Sequence, residues 1–133
     1  MSSPRQIFSY LHNYFNKKDI IKYKKIKAVV TAGPTREYLD SVRYISNESS
    51  GKQGYELASA LTKVGIQTTL IAGPSDIISQ KNIKLKKVIT AEEMFNEVKK
   101  SLPVDVAICA AAVSDFKPSN TIKGKLKKDR DDL

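Results

Sequence analysis

Residues 31–54 read TAGPTREYLDSVRYISNESSGKQG and set arginines, an asparagine and a Gly/Ser-rich helix start together, a combination suited to an anion. Arg36 and Arg43 each offer a planar fork of donors that fits a carboxylate or a phosphate. Asn47 supplies an amide that donates and accepts without adding charge. Ser49-Ser50-Gly51-Lys52-Gln53-Gly54 then opens an apolar helical pattern, so exposed helix N–H groups and the positive end of the helix dipole face the polar loop. The run is not a Walker A loop, because Ser46 stands where its first glycine belongs and Gln53 follows the lysine; nor is it GxGxxG. On residue types alone, an anion site and an ordinary capped helix account for it equally well. Arg36, Arg43 and Asn47 also have a plain reading, as solvated loop residues. Asp115 closes an apolar run and could equally form a turn. Lys125 opens Lys125-Leu126-Lys127-Lys128, by composition a solvated lysine run. His12 is the only histidine and lies far from these residues, so no Ser/His/Asp set is expected.

The elements that must position these residues follow from periodicity. Residues 4–16 read as a short amphipathic helix, with Pro4 at a first helical position, and residues 17–25 as a charged linker. Strands are expected at Lys27–Thr31, Thr68–Ala72, Lys84–Val88 and Val104–Ala111. The last is an almost unbroken apolar run, as for a central parallel strand covered on both faces, with Cys109 buried inside it. Residues 35–50 are expected to be a long polar loop. A helix over Gly51–Val64 turns Tyr55, Leu57, Ala58, Leu61 and Val64 to a core and stops at Gly65. A second helix, capped by Thr90 with Glu92 and Glu93 in its first turn, runs to about Ser101 and shows Met94, Phe95 and Val98. The β-α-β-β-α-β order predicts a Rossmann-like, doubly wound, mostly parallel sheet. TAGPT at 31–35 and IAGPS at 71–75 repeat one strand-exit chemistry, so both turns are expected on the carboxyl edge of the sheet, where such folds bind ligands.

At 133 residues the length suits one domain, and 41% apolar content is that of a globular chain. No apolar run approaches the ~20 residues of a membrane span, and the N-terminus has no signal-peptide core. One reduced cysteine is consistent with the cytoplasm. The net charge of +9 comes mainly from lysines scattered over 17–27, 81–87 and 123–128, a pattern of solvated surface. Without Trp or aromatic–basic interleaving, nucleic acid is disfavoured as a partner.

TAGPTRE, VRYISN and SSGK, in that order, resemble phosphopantothenoylcysteine synthetase, the CTP-dependent synthetase domain that is often fused behind a decarboxylase in coenzyme A biosynthesis. The resemblance runs from about residue 25 onward, and more loosely over 1–16. It implies an N-terminal helix and linker at 1–24 and a partial synthetase domain at 25–133. It also implies a ligase that joins 4'-phosphopantothenate to L-cysteine through an acyl-cytidylate, with CTP as co-substrate and Mg²⁺. Gly33, Ser49, Ser50, Gly51 and Lys52 would then cradle the triphosphate, while Ala111, Ala112 and Asp115 match the family's AAVxDF pattern at the nucleotide. Arg43 and Asn47 carry over as active-site residues. Lys125, ten residues past Asp115, matches the first lysine of a flap segment that helps form the cytidylate; Gly124 precedes it where the family often has Glu. The resemblance also implies a truncated domain, acting as a homodimer or with a second chain that supplies further strands. An inactive nucleotide-binding remnant is the alternative. A Rossmann dehydrogenase is disfavoured by the absent GxGxxG.

Overall fold

The computed structural model describes residues 5–7, 9–11, 13, 23–121 and 124. Four strands build a parallel sheet: β1 (Lys27–Ala32), β4 (Gln67–Ala72), β5 (Lys84–Lys87) and β6 (Val106–Cys109), in the order β5-β4-β1-β6. Helix α1 (Lys52–Lys63) joins β1 to β4, and α2 (Ala91–Ser101) joins β5 to β6. The predicted Rossmann-like, doubly wound arrangement is present. Residues within 5–13 are helical where described.

Alternation along β1 and β4 divides the core between the two faces of the sheet. Val30, Ala32, Leu70 and Ala72 point to Tyr55 and Ala58 of α1. Val29 and Ile71 point the other way, to Val88 and to Met94 of α2. The two connections thus lie on opposite faces. The first moves from β1 toward β4, the second returns past β1 to β6, and the direction of winding reverses between β1 and β6. In open parallel sheets that reversal opens a crevice outside the carboxyl ends of the strands.

Four sequence expectations are corrected. The polar segment 35–50 is not all loop: β2 (Arg36–Tyr38) and β3 (Tyr44–Ser46) form an antiparallel hairpin. The apolar run 104–111 is not covered on both faces among the described residues. Its strand, β6, pairs only with β1 among the described residues and is half exposed. Cys109 is therefore exposed rather than buried, because it alternates onto the uncovered face of that strand. Val64, at 42% exposure, and Phe95, at 61%, sit off the buried stripes of their helices. Among the described residues, no helix is long and apolar enough to cross a membrane.

Candidate functional site

The crevice is built from three chain segments that leave the carboxyl edge together. After β1 the chain turns at Gly33, and the pairing with β6 continues through a parallel bridge between Pro34 and Ala112. Thr35 is fully buried and ties the segments together. Its N–H donates to the Ala112 carbonyl, its Oγ1 accepts from the Ser114 N–H at 2.9 Å, and its carbonyl accepts from Ser46 Oγ at 2.7 Å. Next to Ser46, Asn47 reaches across and donates from Nδ2 to the Val113 carbonyl at 2.9 Å. Asn47 is exposed, and its Oδ1 has no partner among the described residues. Ala111 and Ala112 are half-buried beneath this crossing, and Asp115 is exposed just beyond it.

The second wall is the start of α1. Gly51 is the N-cap residue, with φ of 78° and no side-chain cap on the helix. A Cβ there would stand 2.9 Å from the Gly33 nitrogen, so the left-handed turn and the close approach both call for glycine. Gly54 is tighter: a Cβ would fall 2.5 Å from the Ala32 Cβ and 2.8 Å from the Thr31 carbonyl oxygen. The first turn of α1 therefore lies directly on the end of β1, which places the Lys52–Gly54 amides beside Gly33. The Ser49 Oγ accepts from the Gly51 N–H at 3.2 Å, and the Ser50 Oγ accepts from the Lys52 N–H at 3.3 Å. Each hydroxyl keeps its own proton for an outside acceptor. The N–H groups of Gln53 and Gly54 have no acceptor among the described residues, and the first turn holds no acidic side chain. Exposed Lys52 adds positive charge. Chemically, this is a surface of donors with no competing anion.

The third element is the second strand exit. A Cβ on Gly33 would lie 3.3 Å from the Gly73 carbonyl oxygen, so the two Gly-Pro turns abut, as their repetition in sequence suggested. Ser75 Oγ donates to the Ser50 carbonyl at 2.8 Å. Tyr55, in the first turn of α1, is buried, and burial pushes its hydroxyl pKa above the ordinary value, while a hydrogen bond with Ser75 acts in the opposite sense.

Gly33, Asn47, Ser49, Ser50, Gly51, Lys52, Ala111, Ala112 and Asp115 thus gather around one crevice. Arg43 stands apart. It closes the hairpin turn at the far end of β3 from Asn47, four residues of extended chain and about 13 Å away. There its Nε and Nη2 donate to Asp40 Oδ2 at 2.9 and 2.8 Å. Asp40 is itself buried and also accepts from the Val42 and Arg43 N–H groups. Arg36 lies on β2, its guanidinium 4.6 Å from the centre of the Tyr44 ring. Lys125 and His12 lie outside the described residues. Thr35, Asp40 and Ser75 were not singled out from sequence. The IAGPS echo could have found Ser75, and the three-residue spacing could have paired Asp40 with Arg43. Nothing local marks Thr35.

Residues 23–133 match a family model described as the DNA/pantothenate metabolism flavoprotein C-terminal domain. The chain belongs to that family. Over 134 residues it is 40% identical to the coenzyme A biosynthesis bifunctional protein CoaBC of Haemophilus influenzae, covering 100% of this chain and 33% of that protein. To the Borreliella burgdorferi CoaBC it is 40% identical over 94% of its length and 32% of the relative. The flavoprotein-domain chain therefore spans about a third of the length of these curated relatives. Among solved structures, the C-terminal domain of a CoaBC superposes with a TM-score of 0.70 at 35% identity, over 74% of this chain and 51% of that one. A Cab2 variant solved with phosphopantothenate-cysteine shares the fold, with a TM-score of 0.65 at 17% identity, over 95% of this chain and 59% of that one.

Proposed function

We propose that this chain carries the nucleotide-binding part of a CTP-dependent ligase of coenzyme A biosynthesis, joining 4'-phosphopantothenate to L-cysteine. The observation that carries the reading is the start of α1. Uncapped, free of acid and pressed onto the end of β1, it faces the crevice between β1 and β6 in a chain of this family. The triphosphate lies against the Ser49–Gly54 amides and hydroxyls, with Lys52 neutralising charge. The nucleoside lies toward Ala111, Ala112 and Asp115.

Two half-reactions follow. The phosphopantothenate carboxylate attacks the α-phosphorus of CTP and expels pyrophosphate. The cysteine amine then attacks the acyl-cytidylate and releases CMP. Charge develops on phosphoryl oxygens, so the protein contributes mainly positioning and cationic stabilisation, from Lys52 and from Lys125. Asn47 offers a neutral Oδ1 beside the anionic intermediate, and its Nδ2 is already held by Val113. Among the described residues, no three His, Cys, Asp or Glu side chains cluster. Mg²⁺ is then carried largely on the triphosphate and its waters. Arg43, held by Asp40 at the hairpin turn, is assigned to the substrate together with Asn47, and the chain to a homodimer or to an assembly with a second chain.

Thermal unfolding of the chain with Mg²⁺ and CTP, ATP or no nucleotide tests this reading. A midpoint raised by CTP and not by ATP is expected, through linkage of binding to stability. Midpoints indifferent to both nucleotides would overturn it in favour of an inactive remnant.

A further inference from the structure

We infer that Ser75 is a positioning residue that locks the Ser50–Gly51 peptide in the orientation an anion requires; the inference rests on the nucleotide reading of that site. In a trans peptide the carbonyl and the N–H point in opposite directions. The Ser50 carbonyl accepts from Ser75 Oγ at 2.8 Å, and the Gly51 N–H on the same peptide donates to Ser49 Oγ at 3.2 Å. This peptide adjoins Gly51 at φ of 78°, where glycine leaves rotation nearly unhindered. A peptide next to such a glycine flips readily unless both of its ends are held. The flipped form would turn an oxygen where an N–H should be, beside Lys52 and the free Gln53 and Gly54 amides, and would repel a phosphate.

Ser75 is well placed to hold it because it is held in turn. Its Oγ accepts from the Ile77 N–H at 3.3 Å, which fixes the hydroxyl against its own turn. The second strand exit thereby sets the first: Gly73-Pro74-Ser75 follows β4, and its hydroxyl reaches 25 residues back in sequence to the loop that precedes α1. Ser75 touches the loop backbone and not the ligand, so its effect on chemistry passes through the amides it aims.

Ser75→Ala and Ser75→Thr in the full chain test this with two readouts. The first, without nucleotide, is amide hydrogen exchange at Gly51 and Lys52, whose N–H groups are held by Ser49 and Ser50. It is expected to quicken about tenfold in Ser75→Ala and to return in Ser75→Thr, whose hydroxyl can make the same bond. The second is affinity for CTP with Mg²⁺, expected to fall about tenfold in Ser75→Ala and to recover in Ser75→Thr. Unchanged exchange in Ser75→Ala overturns the inference. So does faster exchange with CTP affinity equal in all three chains, because holding the peptide would then not matter to the anion. An affinity loss that Ser75→Thr does not rescue also overturns it. A wild-type chain that binds neither CTP nor ATP but shows the Ser75-dependent exchange overturns the nucleotide reading and supports the lock on the peptide.

Discussion

Helices α1 and α2 begin at the same edge of one sheet and are finished in opposite ways. At α2, Thr90 Oγ1 accepts from the Glu93 N–H, and Glu93 Oε2 accepts from the Ile89 and Thr90 N–H groups. Buried Glu37 takes the Ala91 N–H at 2.8 Å, and Glu92 and Glu93 place negative charge on the positive end of the dipole. Nothing is left for a ligand. At α1, the N-cap is a glycine without a side chain, the first turn carries no acid, and the amides of Gln53 and Gly54 are left open. Glycine at the N-cap costs only about a few tenths of a kcal/mol relative to a good capping side chain, so the open end burdens the fold little. On the proposed reading, α1 leaves this end open for the phosphates of the nucleotide, while the closed end of α2 serves the fold.

The comparison breaks most sharply at Gly54. Gly54→Ala would drive a methyl into Ala32 and the Thr31 carbonyl, and we expect a loss of about 3 kcal/mol in denaturant unfolding, with nucleotide binding lost as α1 is pushed off β1. Thr90→Ala removes the capping box from the other helix. It should cost about 1 kcal/mol in the same measurement and leave CTP affinity unchanged, since that end serves the fold alone. An equal loss of affinity from Thr90→Ala would mean that the two ends are not separate in role. Gln53→Glu sharpens the contrast with the smallest effect. An acid in the first turn of α1 should raise stability by about 0.3 kcal/mol through the dipole, yet weaken CTP binding measured by calorimetry, because the carboxylate competes with the phosphate for the same amides. A mutation that stabilises the fold while weakening the ligand separates a site from a cap.

Much of this was legible in the residues. The repeated Ala-Gly-Pro after two apolar strands announced paired turns on one edge, and they abut. Thr90 ahead of Glu92 and Glu93 announced a capped helix start, and Thr90 caps it, with Glu93 completing a capping box. Both signals are local, carried by residues within one turn of each other. The hairpin of β2 and β3 was not legible, because three-residue strands show no usable period and the inward residue of β2 is a glutamate. Glu37 is buried only because a helix N–H, 54 residues further on, meets its carboxylate. Arg43 looked like a free cation because its partner Asp40 sits inside the same polar stretch, buried by the turn that the hairpin makes.

By itself, the sequence determined the parallel α/β architecture, the two helix starts and the family. Strand and helix periods and turn chemistry depend on neighbours a few residues apart. Only the tertiary structure decided that β6 has one strand neighbour and Cys109 is exposed among the described residues, that Asn47 reaches Val113 while Arg43 is held by Asp40, and that Ser75 holds the loop before α1. An apolar run reads the same whether one strand or two lie beside it. A serine hydroxyl acquires its partner only when the order of strands brings a second turn against the first.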